Sequence, residues 1–145
     1  MTEHLTDNVI DLQRLTDSVS RSECGAVSTF VGTVRNENDG RAVTGIEYSA
    51  YREMAERELA RIVDEAVLRF GNARVALLHR LGYLAVGEAS VAIAVAHAHR
   101  GESLDALRFV IEALKQRVPI WKREHYVDGT REWVDPTGNH VEAMP

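Results

Sequence analysis

Lys115 and Lys122 are the only lysines among 145 residues, whereas fifteen residues are arginine. Arginine stays charged under ordinary conditions, but an amine can lose its proton when partly buried. It can then serve as base, nucleophile or adaptable phosphate ligand. In so arginine-rich a chain, a retained lysine points to a position where titration or a compact ammonium matters. The two flank Pro119 and Trp121, in a stretch from Arg108 to Arg123 that holds five basic residues and one acid, Glu112, although the whole chain carries net charge −5. Pro119 stops a helix, so Lys115 falls in its last turn and Lys122 just past the break. This local excess of cation reads as an anion-binding site. The plainer alternative is a solvated lysine pair near the negative end of a helix dipole.

Two further segments offer basic groups at the ends of elements. Thr33-Val34-Arg35 sits where an apolar strand runs out into a polar loop, and His97-Ala98-His99-Arg100 lies between a strand and a helix. His97 and His99 project from the same side of a strand, which raises a metal pair. No Asp, Glu or Cys beside them completes a ligand set, so the expectation is no metal. His99 and Arg100 read instead as anion-holding groups at a helix start, and His97 as a partly buried strand residue. Arg35, His99-Arg100 and the stretch from Lys115 to Arg123 would together suit a phosphorylated ligand if they converge. Neither a Ser-His-Asp order nor paired carboxylates stand out, and the glycines are scattered at turns, with no phosphate loop or dinucleotide fingerprint.

Periodicity supplies the elements that must position these residues. A short amphipathic helix is expected over Val9–Val19, and a strand buried on both faces over Cys24–Val34. A polar loop from Arg35 to Arg41 leads to a strand over Ala42–Ala50. The clearest helix runs from Tyr51 to Phe70, with Ala55, Leu59, Ile62, Val63, Ala66 and Phe70 on one face and Gly71 as its stop. Strands follow at Arg74–Leu81 and Ala89–Ala98, joined by a connection that Gly82 and Gly87 bound. A helix from about Ser103 to Val118 presents Leu104, Leu107, Ile111, Leu114 and Val118. Asp128-Gly129 then signals a hairpin between Trp121–Val127 and Thr130–Val134. This order predicts an α+β fold with largely antiparallel pairing. One domain spans residues 1–145, with a polar, loose tail after about residue 135.

With 45% hydrophobic residues the chain can bury a real core, yet no apolar run approaches the ~20 residues of a membrane helix. Met1-Thr2-Glu3-His4 is polar and acidic, so no secretory signal is expected. The single cysteine, Cys24, excludes an internal disulfide, fits a reducing cytoplasm and reads as a small core residue. Net acidity argues against a general nucleic-acid binder.

Four motifs, in order, carry a resemblance: Phe30-Val31-Gly32-Thr33-Val34-Arg35-Asn36, His79-Arg80-Leu81-Gly82, Ala98-His99-Arg100, and Leu114-Lys115 through Pro119-Ile120-Trp121-Lys122-Arg123-Glu124. From about Gly25 to Trp133 the chain resembles the large, catalytic subunit of molybdopterin synthase. Thr33 stands where many relatives carry lysine. The resemblance implies an α/β-hammerhead fold and a sulfurtransferase of molybdenum cofactor synthesis, converting cyclic pyranopterin monophosphate to molybdopterin. It implies a homodimer within a heterotetramer, each subunit taking a small ubiquitin-like carrier. The carrier's C-terminal Gly-Gly thiocarboxylate would deliver the sulfur that builds the dithiolene. No cofactor, nucleic acid or membrane is implied. Lys115 and Lys122 would be catalytic, and Thr33, Val34, Arg35, His99, Arg100, Arg123 and Glu124 would line the substrate site with them. An ion pair from Glu124 would fix the Lys122 amine. Two other readings of the residues are a docking module for a ubiquitin-like partner and a metal-dependent hydrolase of a phosphorylated metabolite using His97 and His99.

Overall fold

The computed structural model describes residues 3–144; Met1 and Thr2, half of the polar start, and Pro145 lie outside the described residues. One sheet has the order β1 (Leu5–Thr6), β5 (Arg74–Arg80), β7 (Ala89–His97), β2 (Ala26–Thr33), antiparallel except for β1 beside β5. Its central strand β7 is buried from Ser90 to Ala96 because both faces are covered. Val91, Ile93 and Val95 meet α2 (Arg52–Arg69) and α3 (Arg100–Arg117), while Ala94 and Ala96 meet α1 (Leu12–Val19). Alternation along one strand thus feeds two packing layers. Fully buried Leu59 and Ile62 of α2 each contribute about 1.5–3 kcal/mol to the larger layer.

The second sheet runs β10 (His140–Val141), β9 (Arg131–Val134), β8 (Ile120–Tyr126), β4 (Arg41–Ala50), β3 (Glu37–Asn38). β6 (Gly82–Ala85) pairs with β4 on the edge away from β8. The mainly antiparallel α+β architecture and the C-terminal hairpin, with Gly129 at φ +89°, agree with the pattern of the sequence.

Several elements differ from expectation for physical reasons. β2 is not buried on both faces: it forms an edge of its sheet, and Val27, Thr29, Val31 and Thr33 remain exposed. α3 begins at Arg100, not Ser103, and buries Ser103, Ala106, Val110 and Ala113, whereas Leu104 is 55% exposed. Small side chains let the helix approach the sheet, and the Ser103 hydroxyl donates to the Val95 carbonyl at 2.9 Å. The larger Leu107 and Ile111 flank that contact. α1 starts at Leu12, capped by the Asp11 carboxylate accepting from Arg14 N. β3 interrupts the expected loop, and β6 occupies the connection between β5 and β7. β1 is too short to show a period. After Pro136 the chain turns back, and His140–Val141 pair with β9.

β4 carries a register irregularity between Val43 and Gly45, where the Tyr83 side chain closes over the strand. A Cβ at Gly45 would meet the Leu84 carbonyl oxygen at 2.6 Å as well as the Tyr83 ring, so backbone must shift. Gly45→Ala is expected to lower unfolding free energy by about 1–3 kcal/mol, read as a displaced urea midpoint at unchanged slope.

Candidate functional site

α3 ends where Val118 N donates to the Leu114 carbonyl and Pro119, lacking an N–H, begins the extended run into β8. Along β8, Ile120, Lys122, Glu124 and Tyr126 share one face, and Trp121, Arg123 and His125 take the other. The register sets Lys122 opposite Tyr48 and Glu124 opposite Ile46. Two adjoining cavities result, of about 260 and 220 Å³, both lined by Tyr48, Lys115 and Lys122. The first continues over His79 to a wall made by Asp135–Gly138. The second continues to Thr33, Arg35, Asn38 and Glu124.

Thr33, Arg35, Lys115, Lys122 and Glu124 are therefore together, although they come from three separate stretches of chain. Between Gly32 and Thr33 the pairing skips Ser90 of β7, and at this irregular end of the ladder Gly32, Thr33 and Ser90 all border the second cavity. Val34 lines neither cavity and is a core residue, packed with Val43, Ile46, Leu84 and Tyr126. Arg123 lies on the opposite face of β8, its guanidinium carbon 5.4 Å from the Trp133 ring centroid. His99 and Arg100 open α3, fifteen residues before Lys115, which separates them by about 22 Å along the helix. Within one chain, then, Arg35 and Lys122 converge and Arg100 does not. Arg117 is taken up by Glu58 and Glu65 of α2, at 2.7 and 2.5 Å.

The charged groups of the cavity differ in environment. Burial first, and then the Lys122 charge, lower the Lys115 pKa from its ordinary value. The side chain as a whole remains exposed because the cavity is open, so the desolvation acts on the amine among the walls. Glu124 is 1% exposed, and both its carboxylate oxygens accept from the Asn38 amide, at 2.9 and 2.8 Å. Its third hydrogen bond comes from the Tyr126 hydroxyl at 3.1 Å, which burial and the adjacent carboxylate keep protonated well above the ordinary range. Asn38 and Tyr126, rather than the expected ion pair with Lys122, hold this carboxylate. Burial also raises the Tyr48 pKa, against a hydrogen bond with Ser90, and the Glu124 charge adds to the rise.

Three cavity residues escaped the residue-by-residue reading: Asn38, Tyr48 and His79. His79 stands in one of the resembling motifs, which was its available signal; Asn38 looked like loop and Tyr48 like strand packing. His79 is 2% exposed, and its ring meets Tyr48 edge-on at 5.2 Å. At the other end of α3, His97 Nδ1 lies 3.2 Å from Glu102. Among the described residues, no group of three or more His, Cys, Asp or Glu is arranged to hold a metal. Cys24 packs with Val19 and Leu15 beside α1, away from the lysines. No described helix is long and apolar enough to cross a membrane.

The family model described as MoaE protein matches residues 5–117. The molybdopterin synthase catalytic subunit of Thermoplasma volcanium is 42% identical over 129 residues, covering 89% of this chain and 94% of the relative. The chain belongs to the MoaE family, the catalytic subunits of molybdopterin synthase. Another MoaE relative, the catalytic subunit of Halalkalibacterium halodurans, is 42% identical and covers 97% of this chain and 92% of its own length. The crystal structure of molybdopterin synthase from Staphylococcus aureus superposes with TM-score 0.86 at 33% identity, over 90% of this chain and 95% of that one. A complex of subunits 1 and 2 of molybdopterin-converting factor from Helicobacter pylori, at 21% identity and TM-score 0.73, shares the fold. It covers 88% of this chain and 86% of that one. The MoaE fold is thus present, and the chain is a member of an enzyme family.

Burial lowers the His79 pKa from 6.5 to about 4; the Arg80 carbonyl opposes the shift and the Lys115 charge adds to it. Below about pH 6.5 the unfolded chain binds a proton that the folded chain refuses. Stability is therefore full above that value and falls as pH drops toward 4, by on the order of 2–3 kcal/mol. Urea unfolding at pH 4.5 and 7.5 should show this acid loss in the wild type, and His79→Gln should remove most of the difference between the two pH values.

Proposed function

We propose that this MoaE chain transfers sulfur from the C-terminal Gly-Gly thiocarboxylate of a small ubiquitin-like carrier to cyclic pyranopterin monophosphate. Two rounds build the dithiolene of molybdopterin. The observation that carries this reading is the shared lining of the two cavities: Lys115 and Lys122 stand in both, with Arg35 on one side. Cations from separate elements suit a phosphorylated substrate and the carboxylate that the carrier tail becomes. Sulfur comes from the carrier, so no cysteine of this chain has to be a nucleophile, and Cys24 is free to be a packing residue.

Proton transfers accompany ring opening and loss of water, and they need a group that titrates. Lys115 is suited to this, since burial and Lys122 both push its pKa downward. Lys122, opposite Tyr48, holds the anionic groups close. Glu124, kept in place by Asn38 and Tyr126, offsets the accumulated positive charge. Thr33 borders the substrate, while Val34 packs in the core. His99 and Arg100 stand too far up α3 to join this set in one chain, so the second copy of a homodimer supplies them. Arg123 acts from the opposite face of β8, supporting the strand against Trp133 rather than touching substrate. The working assembly is a heterotetramer of two such chains and two carriers, in the cytoplasm.

Lys115→Arg retains charge but cannot titrate near neutrality, and its planar fork does not fit a space shaped for a compact ammonium. Single-turnover formation of the dithiolene product should fall by one to two powers of ten, about 1.4–2.8 kcal/mol of transition-state stabilisation, with Lys122→Arg also impaired. Thermal melting of both variants should barely move. Near-wild-type rates in both would remove the lysines from the mechanism.

A carrier lacking its last two glycines should still dock, because surface contacts away from the tail supply most affinity, but should give no product. Titration binding alongside product assay decides this, and normal product formation with the shortened carrier would sink tail insertion.

A further inference from the structure

His79 lines the first cavity together with Lys115 and has no role in the reaction just described. Its backbone N–H donates to the His4 carbonyl at 2.8 Å, which ties it to β1. Its ring is almost wholly buried, packed edge-on against Tyr48, and it lines the cavity with Lys115 and Lys122. The Nδ1 atom lies 2.9 Å from the Arg80 carbonyl oxygen. A carbonyl only accepts, so Nδ1 carries the proton and Nε2 keeps its lone pair. The rest of that cavity's floor is apolar, made by Leu114, Val118 and Ile120. Two ammonium groups thus share a cavity whose base presents one neutral histidine.

We propose that His79 is a positioning residue for Lys115: the Arg80 carbonyl fixes its tautomer, and its Nε2 lone pair serves as a neutral acceptor that holds the Lys115 amine against Lys122. The proposal rests on the assignment of Lys115 to proton transfer. Neutrality is essential, because a third cation would drive the lysine away, and burial keeps the imidazole uncharged down to about pH 4. The other titratable and charged groups that share the cavities with Lys115 are Tyr48, Arg35, Glu37, Lys122, Glu124 and Asp135. Glu124 is already satisfied by Asn38 and Tyr126, and Asp135 accepts from Thr137 and Asn139 in its own turn. Glu124 is thereby committed, Asp135 keeps only its Oδ2 outside its own turn, and Glu37 lines only the cavity that His79 does not reach.

A chain with two lysines gives two side-chain signals when lysine alone is isotopically labelled, so each amine can be titrated directly by NMR. His79→Phe keeps a ring against Tyr48 and removes the acceptor. It should lower the Lys115 midpoint by about half a unit or more relative to wild type and slow single turnover about tenfold. His79→Gln restores an acceptor and should return both values toward wild type. A role in packing alone would leave the Lys115 midpoint unmoved in folded His79→Phe and would make Gln the worse substitution; either result overturns the proposal. The imidazole nitrogen shifts of His79 in the unaltered chain provide a reading that needs no variant, and an Nε2–H tautomer there would also overturn it. Wild-type protein that makes no product refutes the assigned reaction, while the lysine titration still decides the place of His79.

Discussion

Everything at the site depends on how the chain passes from helix to strand between Arg117 and Ile120. Pro119 has no N–H to extend the helical ladder, and its fixed φ suits the entry to an extended segment. The Val118 N–H closes the last helical turn on the Leu114 carbonyl, and two residues later β8 has begun. That abrupt change sets a side chain of the final helical turn, Lys115, over the face of a strand that carries Lys122 and Glu124. A longer loop would let the two amines drift apart, and a continued helix would put them on different turns.

The strand half of the arrangement is held by pairing. β4 hydrogen-bonds to β8 along one edge and to β3 and β6 along the other, so it is the shared wall between the hairpin bearing Asn38 and the strand bearing Glu124. Burying the Glu124 carboxylate would be costly were its lone pairs empty. Asn38 and Tyr126 fill them, and the Tyr126 ring in turn carries the Arg41 guanidinium at 3.5 Å, which pairs with Glu132 of β9 at 2.9 Å. A chain of polar contacts thus links the base of the cavity to the hairpin strands. The negative charge it secures lies close to two lysines and Arg35, where it moderates their repulsion without neutralising either amine through a direct pair.

Local signals in the sequence were sufficient for most elements, because helix and strand periods and turn residues act over a few positions. The helix over 52–69, the Asp128-Gly129 hairpin and the break at Pro119 were all legible. So was the special standing of Lys115 and Lys122, since residue choice against an arginine-rich background is a property of the sequence itself. Face assignment on α3 was less legible: Leu104 looked like core, but the sheet accepts Ser103 and Ala106, whose small size permits close approach. The period was right and its phase was decided by the partner surface.

What the sequence by itself determined was the chemistry available: two titratable amines, an arginine at a strand end, a carboxylate beside them, and one cysteine with no partner in the chain. Tertiary structure alone decided which of these meet. It joined Thr33 and Arg35, at the end of β2, to Lys115 in one cavity, added Asn38, Tyr48 and His79, and turned Arg123 away because adjacent residues of a strand face opposite sides. It also set His99 and Arg100 a helix length from Lys115 in the same chain. Distances of that kind follow from which strands pair and where a helix lies on a sheet, and such long-range contacts have no local period by which a sequence could announce them.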